Sequence, residues 1–273
     1  KTPSVTSDKG TDWTVDEGAL CSQDGTVDEL RVVLSVESDG NRAVGTYAIT
    51  GKWTNSNYDV TFTGSWTGED ENKDHAGTYT IDHRPINVQI GNAEGFYGDV
   101  PVLTGVTLTY EVTDEENHRG LAPDENSVPN ITLGTGASAQ SPVAGYVIYA
   151  VDGSNEQIKK DTPVVIGNYK VTFTQNGTYT VKQRPITITI EDHSSVYGEK
   201  IDGGIADPVS GTDYTVAITN QATTGDAIVK GDNLEIKLTT KATADSPVDD
   251  YDITGFAAGE KVNNYAITWA GNG

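Results

Sequence analysis

Apolar and polar residues alternate with period two along much of this chain. Ile186-Thr187-Ile188-Thr189-Ile190 sets three isoleucines on one face of an extended segment and two threonines on the other. Leu234-Glu235-Ile236-Lys237-Leu238 does the same with a charged outer face. Successive side chains of a strand point to opposite faces, so this period marks strands with one face buried. Val, Ile, Thr and Tyr fill these runs, and Gly, Asn, Asp and Pro punctuate them. No segment carries an apolar stripe at 3.6-residue spacing. The 30 glycines would each cost a helix interior about 1 kcal/mol relative to alanine. The pattern predicts an all-β chain.

The same alternating segments recur in order. Residues 77–99 (GTYTIDHRPINVQIGNAEGFYGD) and 177–199 (GTYTVKQRPITITIEDHSSVYGE) align without a gap at an offset of 177 − 77 = 100, with ten of 23 positions identical. A second landmark occurs three times: Asn57-Tyr58-Asp59-Val60-Thr61-Phe62, Asn168-Tyr169-Lys170-Val171-Thr172-Phe173 and Asn264-Tyr265-Ala266-Ile267-Thr268-Trp269. A third lies upstream of each, around Tyr47, Tyr146 and Tyr251, and in the later two copies Ser-Pro-Val precedes it (141–143 and 246–248). The strand before it recurs at 30–34 and 234–238, with a shorter counterpart at 131–133. A fourth landmark is Trp13-Thr14-Val15, Tyr110-Glu111-Val112 and Tyr214-Thr215-Val216. An ordered set of this kind is the mark of a tandem repeat.

The unit runs from Arg-Pro-Ile to the next Gly-Thr-Tyr-Thr. Repeat one covers residues 1–82 and lacks the first strand. Repeat two, 83–182, is complete. Repeat three, 183–273, lacks the last strand, because Gly273 aligns with Gly177. Cuts inside the unit at both ends imply a piece of a longer array. Polar insertions distinguish the copies, at 64–76 in repeat one and 151–160 in repeat two, and read as surface loops. Six or seven short strands in about 100 residues, each with one buried face, predict tandem immunoglobulin-like β-sandwiches. The alternative is a β-grasp-like unit, which needs a helix that the pattern does not supply.

Recurring residues read first as folding devices, since every copy must solve the same problem. Pro85 and Pro185 open a strand, where a missing N–H disturbs no ladder bond, and they stiffen the short junction between repeats, favouring a rod over loosely tethered beads. Gly98 and Gly198 are expected in a backbone conformation closed to other residues. Tyr97 and Tyr197 are expected to pack beneath the following loop and hydrogen-bond through their hydroxyls, as corner tyrosines do.

Charge and composition narrow the function. The formal net charge is −22, which repels nucleic acid and anionic lipid and suits a highly soluble protein outside the cytoplasm, or a salt-tolerant one. No apolar run of about 18 residues marks a membrane span. There is no methionine and one cysteine, Cys21, so disulfides and cysteine metal sites play no part. Histidines 75, 83, 118 and 193 are too scattered to form a metal cluster.

The order Arg-Pro-Ile-Thr-Ile-Thr-Ile (184–190), Tyr197-Gly198-Glu199, Tyr251-Asp252-Ile253-Thr254-Gly255 and Asn263-Asn264-Tyr265-Ala266-Ile267-Thr268-Trp269 resembles the MBG repeat of the YGX type. The resemblance covers essentially the whole chain, and Tyr97-Gly98-Asp99 repeats its most specific element. That family occurs in tandem in large bacterial extracellular and cell-surface proteins, including adhesins. It implies an extracellular, wall-displayed stalk or adhesive region. It brings no catalytic residues with it, and no wall-sorting motif is found here.

Candidate chemistry is sparse. Glu69-Asp70-Glu71 and Asp114-Glu115-Glu116 are carboxylate clusters, but each appears in one copy and reads as solvated loop charge. Residues 68–74 and 123–126 offer hard oxygen ligands suited to calcium, without the spacing or glycine of an EF-hand. No nucleophile elbow, HExxH, P-loop or dinucleotide fingerprint occurs, Cys21 has no neighbouring histidine, and no matched Lys–Asn pair for an isopeptide bond recurs. No catalytic, cofactor or metal residues are therefore assigned. The expected role is a non-enzymatic stalk or spacer, monomeric and packed against neighbouring repeats of its own chain. The alternative is an adhesin region that itself binds glycans or glycoproteins, with Trp53, Trp66 and Tyr149 as candidate contacts.

Overall fold

The structure is a computed structural model and describes residues 32–36, 43–53, 60, 62, 75–201, 204–205, 207–219, 223 and 225–271. It is all-β. Among the described residues the helical content is a single 3-10 turn at Val262–Asn264. Repeat two, described throughout, holds no helix, so the β-grasp alternative falls away there.

Strands β1 (Val33–Val36), β2 (Gly45–Lys52) and β3 (His75–Ile81) form one antiparallel sheet in that order. The next strands are β4 (Arg84–Ile90), β5 (Ala93–Phe96), β6 (Leu108–Tyr110), β7 (Thr132–Thr135), β8 (Ala144–Val151), β9 (Pro163–Ile166), β10 (Tyr169–Gln175) and β11 (Gly177–Lys182). They make two four-stranded sheets, β6-β4-β10-β9 and β5-β11-β8-β7. The last group is β12 (Arg184–Ile190), β13 (Gly204–Ile205), β14 (Tyr214–Ile218), β15 (Glu235–Thr240), β16 (Ile253–Ala258) and β17 (Tyr265–Ala270). These form the sheets β14-β12-β17 and β13-β15-β16.

The strand that opens each unit lies inside its sheet. β12 pairs antiparallel with β14 and parallel with β17, with Ile186 opposite both Ile218 and Ile267. Such a position is buried on one face and hydrogen-bonded along both edges. The alternation seen in the sequence is therefore realised without slippage, with Ile186, Ile188 and Ile190 buried in β12 and Ile86, Val88 and Ile90 in β4. Each such side chain contributes about 1.5–3 kcal/mol by leaving water. A one-residue register slip would turn the whole set outward.

Each sandwich closes across its two sheets. Val88, Ile90, Val171 and Phe173 are buried on one sheet of repeat two, and Ile148, Ala150, Tyr179 and Val181 on the other. In repeat three the Trp269 ring on β17 lies where a side chain on Gly255 of β16 would have to go. Phe62 occupies the same place against Gly51. A bulky ring facing glycine lets an aromatic fill the core where two side chains would collide. Outer faces are joined by hydroxyl pairs, Ser35–Thr50 at 2.8 Å and its counterpart Thr239–Thr254 at 3.0 Å.

By compactness the chain divides into two units. One comprises residues 1–86, 113–128 and 165–170, and the other residues 87–112, 129–164 and 171–273.

Candidate functional site

The most elaborate polar arrangement in the larger unit surrounds Arg184, at the start of β12. This guanidinium is 1% exposed, and a charge so buried must be paired and fully hydrogen-bonded. Its Nε donates to the Ala227 carbonyl at 3.2 Å and Nη2 to the Asp226 carbonyl at 2.8 Å. Nη1 donates to the Tyr97 carbonyl and to the Asp99 carboxylate, both at 3.1 Å. The sequence repeats thus meet here, because Tyr97 and Asp99 belong to repeat two and Arg184 opens repeat three.

A second arrangement sits beside it. Tyr97 donates to Asp232 Oδ1 at 3.1 Å, and Tyr265 donates to Asp232 Oδ2 at 2.6 Å. Tyr265 also accepts the Val229 N–H at 2.9 Å. The two rings meet edge to face with centroids 5.7 Å apart, a geometry worth about 0.5–1.5 kcal/mol beyond burial. Burial first, and then the Asp232 carboxylate, push the pKa of both tyrosines above its ordinary value. Asn264, next to Tyr265, accepts the Val143 N–H at 3.1 Å.

The smaller unit carries the arginine, turn and tyrosine side of this arrangement one repeat earlier. Arg84 Nε donates to the Gly120 carbonyl at 2.9 Å, and Nη2 donates to the Arg119 carbonyl and the Glu115 carboxylate. Tyr169 accepts the Ala122 N–H at 2.8 Å and donates to the Glu125 carboxylate. Its pKa is pushed up to about 12, by burial and then by Glu125. Asn168 accepts the Val44 N–H at 3.2 Å. Positions 119, 120, 122 and 125 thus play the parts of 226, 227, 229 and 232, at a constant offset of 226 − 119 = 107.

Sequence reading gave 123–126 as a loop of calcium-type oxygen ligands and did not match it to 230–233, because Asn126 and Asn233 are the identical residues in the stretches 119–126 and 226–233. What they share is a turn. Glu125 N–H bonds the Ala122 carbonyl and Asp232 N–H the Val229 carbonyl. The third turn position has positive φ in both, Asp124 at +71° and Gly231 at +95°. Turns with positive φ at that position select Gly, Asn or Asp. The dipeptides Pro123-Asp124 and Lys230-Gly231 were the available signal.

Gly98 and Gly198 do adopt positive φ, +90° and +86°. Tyr97 is buried and hydrogen-bonded, but its partner Asp232 lies in the next repeat rather than in its own following loop. Tyr197 departs from the expectation, being 69% exposed. The corner-type bond, from a hydroxyl to the carbonyl four residues upstream, belongs to another landmark: Tyr47 to Ala43, Tyr146 to Pro142 and Tyr251 to Pro247, at 2.7–3.0 Å.

The candidate chemical groups are engaged in local structure. Asp114 receives the Asn117 side-chain amide and backbone N–H, which hold its pKa below the ordinary carboxylate value. Glu115 pairs with Arg84, and Glu125 of the 123–126 loop with Tyr169. Asp152 closes the 151–160 insertion by accepting the Ser154 and Glu156 N–H groups. His193 lies 3.4 Å from Asp213. No group of three metal-ligating side chains occurs among the described residues. Trp53 is half-buried and tilted against Phe62, and Tyr149 is half-buried beside Gly134. Cys21, Trp66, the Glu69-Asp70-Glu71 cluster and the 68–74 loop lie outside the described residues. No described helix is long and apolar enough to cross a membrane. Comparisons of the chain with family models, with curated proteins and with solved structures give no match.

Proposed function

We propose that this chain is a non-catalytic structural spacer, a series of repeats from a bacterial cell-surface or secreted protein that displays an adhesive region. The observation that carries this reading is the Arg184–Asp99 and Tyr97–Asp232–Tyr265 network. Residues that recur along the sequence are spent on fixing one repeat to the next, through a buried cation and a shared carboxylate. A junction of this kind resists bending and separation in a way that a flexible linker does not. The resemblance to MBG repeats supports extracellular display, and the net charge of −22 supports solubility and self-repulsion between chains. The chain acts as a monomer whose partners are neighbouring repeats, without nucleic acid, membrane insertion or a resident cofactor.

A glycan and host-glycoprotein array, probed with the whole chain, tests this reading. No specific binder is expected. Saturable binding of one glycan class, abolished by changing Trp53 or Tyr149, would replace the spacer with the adhesin reading.

A further inference from the structure

The two Tyr-Gly-acid corners have the same backbone and opposite surroundings. In each, the glycine N–H bonds a carbonyl of the turn before the Ser-Pro-Val segment, Gly98 to Ala139 and Gly198 to Ala244, both at 3.2 Å. In each, the acidic residue's N–H closes a turn, Asp99 to Phe96 at 3.1 Å and Glu199 to Val196 at 2.9 Å. The supporting turns are also matched, with Ser138 N–H on Ser141 Oγ and Thr243 N–H on Ser246 Oγ, both at 2.9 Å. The second corner is therefore fully formed.

Their coverage differs. Tyr97 is 1% exposed, and Tyr197 is 69% exposed. Val143, whose N–H bonds Asn264, is 38% exposed, whereas its counterpart Val248 is 90% exposed. A side chain on Gly98 would meet Val229 and Arg184, while one on Gly198 would meet nothing. Val196 adds an exposed apolar side chain to the patch. Among the described residues β16 is an edge strand, although its counterpart β8 is paired on both sides, with β7 and β11. Unpaired edges are sites of strand addition.

We infer that the Val196-Tyr197-Gly198-Glu199 corner and Val248 form a docking surface for a further repeat of this same type, joined in series. Resting on the spacer reading, this extends it to a second junction. The occupant is specified by the first junction. It brings a buried arginine for the Tyr197 carbonyl and Glu199 carboxylate, an acidic turn residue for the Tyr197 hydroxyl, a tyrosine ring against Tyr197, and an asparagine for the Val248 N–H. A Gly-Thr-Tyr-Thr strand leading into that repeat would pair with β16. Another copy of this chain does not present such an end, because the matching asparagine, Asn168, already accepts the Val44 N–H of its own first repeat.

Tyrosine nitration by tetranitromethane, with peptide mapping, tests the inference. The whole chain is compared with one lengthened after Gly273 by a copy of residues 178–273 that carries Tyr197→Phe, which continues the repeat in register and leaves a single Tyr197 peptide to map. In the 273-residue chain Tyr197 is expected to react and Tyr97 to be protected. In the lengthened chain Tyr197 is expected to react at least about tenfold more slowly, and Arg184→Met in the added copy restores its reactivity. Equal reactivity of Tyr197 in both chains, with Tyr97 protected in both, would overturn the inference and leave the spacer reading standing. An added copy that gains no β-sheet signal by circular dichroism would contradict it equally, since the same sequence folds behind the first corner. Rapid nitration of Tyr97 in the unmodified chain would instead remove the junction on which both readings rest.

Discussion

Arg184 and Tyr265 show how a few side chains can carry a junction. Arg184 donates to three backbone carbonyls and one carboxylate, a fan that the planar guanidinium can make and an ammonium cannot. Removing it leaves Asp99 facing a buried gap, and breaking such a pair costs about 3–5 kcal/mol. Arg184→Met is expected to lose that much in urea unfolding, and Arg184→Lys to recover less than half of it. Tyr265→Phe strands the Val229 N–H and one Asp232 oxygen, at a cost of about 1–3 kcal/mol. The hydroxyls also set a pH limit. A group whose folded pKa is raised stabilises fully below its ordinary value, and that contribution disappears as pH rises through the folded value. For Tyr169 the window opens near the ordinary tyrosine value of 10.0 and closes at about 12. The urea midpoint of the intact chain is expected to fall across that window, and Tyr169→Phe to fall less steeply from a lower start.

At the scale of elements, the two corner glycines make an internal control. Gly98 and Gly198 have nearly the same φ, so alanine at either position pays the same backbone penalty, about 1 kcal/mol. Only at Gly98 does the added methyl also meet Val229 and Arg184. Gly98→Ala is expected to destabilise the chain by at least about 1 kcal/mol more than Gly198→Ala, read as the difference in urea midpoints. Equal losses would mean that Gly98 is not packed as described. Strands of this kind were legible in the sequence because burial of one face writes period two directly into residue choice, as in β12 and β15. Positive φ at the two corner glycines was legible for a similar reason, since few other residues tolerate it. The junction was not legible. Arg184 was visible only as part of a strand start, because a buried cation looks like any other arginine until its partners are placed. Its carbonyl acceptors leave no trace in residue identity. The turn that holds Asp232 and Glu125 is conserved in backbone shape rather than in side chains. Tyr97 and Tyr197 look alike in sequence, and only the packing of the following repeat distinguishes them.

At the largest scale, repeat three finishes the burial that repeat two begins within the larger unit, as the covered Tyr97 shows. Nearest-neighbour coupling of this kind governs the stability of repeat arrays. The smaller unit repeats the arginine-to-carbonyl, tyrosine-to-turn and asparagine contacts, of which Asn168 to Val44 joins one repeat to the next, so these contacts do not depend on one set of loop residues. The most direct test is a double-mutant cycle between Asp99 in repeat two and Arg184 in repeat three, using Arg184→Met, Asp99→Ala and the double variant in urea unfolding. If the junction binds repeat to repeat, the two changes are coupled by at least about 1 kcal/mol. Losses that add within about 0.3 kcal/mol would show that the two residues stabilise their own repeats separately, and would contradict a locked junction.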